Sequence, residues 1–193
     1  ATGGGSGNLV TFSSATLSVC TLSGSVVTFV GIGTCTINAD QLGNSSYSAA
    51  TQVPQTFTVL AKALTITAVV TPPSIAFGAA TPTNSFTPSG LINSDSVTSL
   101  TYTYTNNGGT TYNSTTAPTA VGNYFVTPSA ALGTGLAKYS ISYVAGSLSI
   151  GLASQSIAIT STPTTPTYGA TYTVVATGGG SGNLVTFSSA TLS

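Results

Sequence analysis

Only four side chains of this 193-residue protein carry a full charge, Asp40, Lys62, Asp95 and Lys138, and its only thiols are Cys20 and Cys35. Histidine, arginine, glutamate, methionine and tryptophan are absent. General acid–base catalysis needs a poised histidine or a pair of carboxylates close together, and Asp40 and Asp95 stand far apart in the sequence. Two thiols with no histidine or nearby carboxylate cannot complete a tetrahedral zinc shell, and calcium sites gather several oxygen ligands, usually acidic ones. Two lysines cannot make the basic face that displaces counterions from nucleic acid. The sequence therefore assigns no catalytic, cofactor-binding or metal residues, and it points away from an enzyme and from a nucleic-acid partner.

Other residue types admit a functional reading beside a structural one. Cys20 and Cys35 lie in two alternating apolar runs joined by turns at Ser23-Gly24-Ser25 and Gly31-Ile32-Gly33. A disulfide between them, in an oxidising compartment, would contribute about 3 kcal/mol by closing a loop of about 16 residues. Two buried free thiols are the alternative. Tyr102, Tyr104 and Tyr112 are close enough in sequence to form an aromatic patch for a glycan, against the commoner use of such rings in a core. Gly3-Gly4-Gly5-Ser6-Gly7 lacks the Lys-Ser/Thr of a phosphate cradle and reads as a loop. Asp95, in Asn93-Ser94-Asp95-Ser96, is expected to cap a turn through nearby backbone N–H groups. Asn44-Ser45-Ser46 and Asn113-Ser114-Thr115 fit the glycosylation pattern.

The elements that would position these residues are strands. About a third of the chain is serine or threonine, hydrophobic residues make up 41%, and 2% is charged, a balance opposite to that of disordered chains. Period-two alternation pervades the sequence, with no helical stripe of ten or more residues. Strands are predicted over 9–12, 18–22, 26–30, 35–39, 56–60, 64–70, 100–105, 122–127, 139–144, 147–150, 156–160 and 171–176, separated by Gly, Pro, Asn and Ser clusters. In 101–105, alternation sends both tyrosines to one face and three threonines to the other. No apolar run reaches the roughly 18 to 20 residues of a membrane span.

Residues 1–18 recur letter for letter as residues 176–193, a spacing of 175 residues. Such a repeat is the mark of a serial array, each unit stacked on the next. Turn residues divide the period into two modules. The expected organisation is residues 1–60 as the C-terminal part of a module A, 61–150 as a complete module B, and 151–193 as the N-terminal part of the next A. Residues 1–60 would then need strands from a preceding 152–175 segment, supplied along one chain or by head-to-tail strand exchange.

These residues also resemble known families. Ser154-Gln155-Ser156-Ile157, Tyr168-Gly169, residues 179–187, Cys20, Val27-Thr28-Phe29, Gly33-Thr34-Cys35-Thr36-Ile37, Gln41, Tyr47 and Phe57-Thr58-Val59 are similar to Ig-like repeats of large bacterial surface proteins. Leu64-Thr65-Ile66-Thr67-Ala68, Phe77-Gly78, Ser89-Gly90-Leu91, Asp95-Ser96-Val97, Val121-Gly122-Asn123-Tyr124 and Tyr139-Ser140-Ile141 resemble the MBG-type modules that accompany them in adhesin-like proteins. The resemblance implies an all-β fold of tandem Ig-like β-sandwich modules, two per repeat, arranged end to end. It also implies an extracellular or cell-surface location and a role as a structural repeat unit of a bacterial surface fibre, filament or adhesin stalk. A ligand-binding adhesive module, taking a glycan or host protein, is the rival reading. The partners expected are other copies of the repeat, head to tail. Lateral partners follow from the scarcity of charge, since edge strands are ordinarily blunted by it.

Overall fold

The computed structural model describes residues 1–107 and 111–189, so the last four residues of the repeated segment lie outside the described residues. The fold is all-β. Among the described residues the only helical element is a 3₁₀ turn, Leu136–Lys138.

The best-packed part is a sandwich of two sheets. Strands β6 (Lys62–Thr71), β7 (Ser74–Ala76), β8 (Thr83–Ser89), β9 (Ser96–Asn106), β10 (Asn113–Ser114), β11 (Gly122–Thr134), β12 (Tyr139–Val144) and β13 (Gly146–Gly151) form it. One sheet has the order β10-β9-β11-β13-β7 and the other β12-β6-β8. In β6 the alternation is nearly complete, with Leu64, Ile66, Ala68 and Val70 buried between Thr65, Thr67 and Val69. Two clusters fill the sandwich. Val70, Tyr104, Tyr124, Val126, Leu148 and Ile150 form one, and Leu64, Ile66 and Tyr139 the other, flanked by Phe86, Leu91, Val97 and Leu100. Removing a side chain such as Leu64 or Leu148 from water contributes roughly 1.5–3 kcal/mol.

β6 pairs antiparallel with β8 and parallel with β12, so Tyr139 stands beside Lys62. β11 runs well past the expected end at residue 127, through a bulge between Ser129 and Leu132 where Ala130 takes φ 49°. The bulge absorbs extra residues while pairing with β9 resumes beyond it. Three of the four sheet edges are short or contain proline: β10 has 2 residues, β7 has 3, and β8 carries Pro88, whereas the fourth, β12, runs 6 residues without one.

Residues 1–60 make two small sheets, β1-β4-β5 and β2-β3, from β1 (Val10–Ser14), β2 (Cys20–Ser23), β3 (Val26–Phe29), β4 (Gly33–Gln41) and β5 (Val53–Val59). The disulfide joins them. Cys20 opens β2, Cys35 lies in β4, their sulfurs are 2.03 Å apart, and both residues are fully buried. This chain thus uses its thiols for the cross-link rather than as free buried groups. Phe29 and Phe57 meet edge to face nearby, with centroids 5.8 Å apart.

The region 152–189 holds only β14 (Ala158–Ile159) and β15 (Ala176–Thr177), paired antiparallel. The longer strands expected over 156–160 and 171–176 contract to these two-residue pieces. Among the described residues no third strand lies beside them, and an isolated two-stranded ribbon has little to hold it.

Candidate functional site: the charged junction and the repeated segment

Three of the four charged side chains converge where residues 1–60 meet the sandwich. β12 places Tyr139 at its first position and Lys138 immediately before it, while the parallel register brings Lys62 alongside. Asp95 arrives from a tight turn in which its N–H donates to the Ile92 carbonyl at 3.0 Å. Asn93 and Ser94 at the centre of that turn have φ 54° and 62°, the left-handed pair of a type I′ turn, which asparagine accepts readily. The backbone therefore closes this turn, and the expected cap through the Asp95 side chain is replaced by a different use of the carboxylate.

Asp95 Oδ2 accepts from the Tyr139 hydroxyl at 2.9 Å and lies 3.2 Å from Lys138 Nζ. The same hydroxyl accepts from the Ile92 N–H at 3.0 Å. The side chain of Asp95 is 9% exposed and that of Lys138 40%, so the carboxylate is desolvated and the ammonium half in water. Gly135, at φ 72°, makes the approach feasible, because a Cβ there would lie 1.9 Å from Asp95 Oδ1. An open cleft of about 230 Å³ adjoins this network, lined by Phe29, Val30, Ile32 and Leu60 on one side and Lys62, Ile92, Asp95, Lys138 and Tyr139 on the other. The network ties the Ile92–Asp95 turn to the start of β12 within the sandwich, and residues 1–60 contribute only apolar lining across the cleft.

The fourth charge is elsewhere. Asp40, in β4, accepts from Gln52 Nε2 at 2.9 and 3.2 Å. The two carboxylates are thus held apart, each by its own partner.

The tyrosines of the expected patch face inward. Tyr104 and Tyr124 are buried, Tyr102 and Tyr112 pack against the same cluster, and Tyr112 meets Tyr124 edge to face at 5.7 Å. Their hydroxyls are engaged: Tyr104 accepts from Asn84 Nδ2 at 2.6 Å, and Tyr112 and Tyr124 donate to the carbonyls of Thr116 and Ala120. Burial, then the neighbouring Tyr104, raises the Tyr102 phenol above its ordinary value near 10. The rings proposed for a glycan patch therefore serve the core.

The glycine-rich loop has a specific structural use that its sequence did not disclose. Gln41, buried at the end of β4, accepts from the Gly4 N–H at 2.7 Å and donates from Nε2 to the Asn8 carbonyl at 2.6 Å. A Cβ on Gly3 would meet Gln41 Nε2 at 2.6 Å. Asn44, the first glycosylation candidate, donates from Nδ2 to the Ser6 carbonyl at 2.8 Å and accepts from the Ser46 and Tyr47 N–H groups, so its amide is already committed to the fold.

No helix among the described residues is long and apolar enough to cross a membrane. Residues 64–149 match the family model described as MBG domain (YGX type). The comparison with curated proteins gives no match. The matched residues coincide with the two-sheet sandwich, which is thus similar to an MBG-type module.

Proposed function

We propose that this chain is a structural repeat unit of an extracellular bacterial surface fibre, filament or adhesin stalk, in which β modules follow one another along an axis and carry load or span distance without catalysing a reaction. The observation that carries the reading is the return of residues 1–18 as 176–193 on either side of an MBG-type sandwich. Repetition at fixed spacing favours a quasi-one-dimensional molecule whose units contact their neighbours. A disulfide suits an oxidising, extracellular setting.

The test is to shave intact producing cells with protease and image their surface before and after. Loss of extended fibres, together with release of peptides from this chain, is the result expected. Fibres that persist, or a chain protected until the cells are lysed, would refute the proposal.

A further inference from the structure

Eighteen identical residues stand in two settings here, and each setting supplies what the other lacks. In residues 1–18, Val10–Ser14 form β1 against β4, Gly4 N–H donates to Gln41, and Asn8 Nδ2 donates to the Leu42 and Gly43 carbonyls. Ala1 and Thr2 belong to no strand. In the second copy the pattern reverses. Ala176–Thr177, the equivalents of Ala1 and Thr2, pair with β14, and Ser181 N–H, the equivalent of Ser6 N–H, donates to Gln155 Oε1 at 3.1 Å. Residues 182–189, which include the equivalent of β1, belong to no strand.

The loop between these pairing sites keeps its own shape in both settings. Gly7 and Gly182 each have φ 75°, and the N–H of Asn8 or Asn183 donates to the Oγ of Ser6 or Ser181 at 3.4 or 3.3 Å. A segment of one shape that uses different hydrogen-bonding groups in the two settings leaves its two sets of partners without competition for the same donor or acceptor. Such a segment would lie between Gln155 and β14 on one side and Gln41 and β4 on the other.

Burial argues for the same closure. Among the described residues, the two buried hydrophobic clusters both belong to 64–150. Leu9, Leu17, Leu42 and Leu60 remain exposed on one part and Leu152, Ile157, Ile159 and Tyr168 on the other, with Leu9 and its equivalent Leu184 at 87% and 93%. These uncovered apolar side chains on both parts are what a joining of the two would have available to bury.

We infer that residues 152–175 of one copy of the repeat begin the module that residues 1–60 of a second copy finish, with β14 adding to Ala1–Thr2 of that copy in the register seen at Ala158↔Thr177 and Ile159↔Ala176. The inference deepens the proposed fibre by naming its joint. Within a serial chain the joint is the pairing at 158–159 and 176–177 itself. Between separate chains, the trailing 176–177 pair gives way to Ala1–Thr2 of the neighbour, a two-residue exchange between identical sequences.

The test uses the full chain with Thr2→Cys in one sample and Ala158→Cys in another, both exposed positions. Directly opposed antiparallel residues have Cα separations that a disulfide spans. Mixed under mild oxidation, the two variants should give a 2–158 heterodimer at least tenfold in excess of that from Ser25→Cys with Ala158→Cys. A chain carrying both Thr2→Cys and Ala158→Cys should give a ladder of multimers. Peptide mapping that shows Cys20–Cys35 intact confirms the fold, and Ala158→Cys with Thr177→Cys in one chain confirms that the register can be linked. Equal yields from positions 2 and 25, or no heterodimer with these controls satisfied, would overturn the inference. Fibres that assemble without the 2–158 link would sink this joint and leave the fibre standing. A 2–158 link confined to closed dimers would support the joint and sink the fibre.

Discussion

Replacing Tyr139 by phenylalanine removes one oxygen from the junction and tests whether that oxygen holds the network together. The hydroxyl accepts from the Ile92 N–H and donates to Asp95 Oδ2 in a site where the ring is buried and the carboxylate nearly so. A buried donor left without its partner costs about 1–3 kcal/mol, and a hydrogen bond to a charged group is worth about 1.5–3 kcal/mol. The two losses do not add in full, because the adjoining cleft admits water to Asp95 and Lys138 continues to hold it. The expected cost is about 2–3 kcal/mol. For a module of this size each kcal/mol lowers Tm by about 4–8 °C, so a fall of roughly 10–20 °C is expected. Lys138→Met should cost less, about 1 kcal/mol, because half-exposed ion pairs contribute little. Denaturant unfolding followed by tyrosine emission, uncomplicated by tryptophan, measures both. A Tyr139→Phe cost below about 0.5 kcal/mol, or a larger cost for Lys138→Met, would refute the reasoning.

Three further outcomes follow from the same structure. Gly135→Ala should destabilise the sandwich by about 1–3 kcal/mol, since the new methyl group displaces Asp95 at a left-handed backbone position; thermal unfolding reads this directly. Cys20→Ala with Cys35→Ala should remove about 3 kcal/mol from residues 1–60 and raise amide exchange in β4 and β5, with exchange in β11 and β13 unchanged. Because Tyr102 keeps its proton to higher pH when folded than when unfolded, its contribution is complete below about pH 10 and declines as pH rises through its folded value. Tyr102→Phe should flatten that alkaline decline in an unfolding series from pH 9 to 12, and an unchanged slope would contradict the assignment.

The sequence made some of this legible because period-two alternation coincides with burial. Leu64, Ile66, Ala68 and Val70 alternate with polar or exposed neighbours, and both tyrosines of 101–105 do turn to the core. β8 was not legible: Thr83–Ser89 reads as polar, yet Asn84, Phe86 and Pro88 take the inward positions in alternation. The parallel pairing of β6 with β12 was invisible as well, since it joins residues more than seventy positions apart with no local turn to announce it. Separation in sequence hid the junction too, with partners 43 and 44 positions apart. Asp95 looked like a turn cap because its near neighbours are turn formers, whereas its partners Lys138 and Tyr139 are brought by another strand. A usable signal was present in the charge count, since three of only four charges in an otherwise neutral chain meet at one place.

Axial periodicity in the assembled protein distinguishes modules strung end to end from any other packing. Two modules of about 90 residues, each roughly 40 Å long from compactness scaling, should advance a fibre by roughly 70 to 90 Å per repeat if they lie end to end. Helical image reconstruction that finds that spacing, with every 175 residues accounted for along the axis, is the result expected. A rise of about half that length would place the modules side by side, and particles with no axial repeat would remove the fibre altogether.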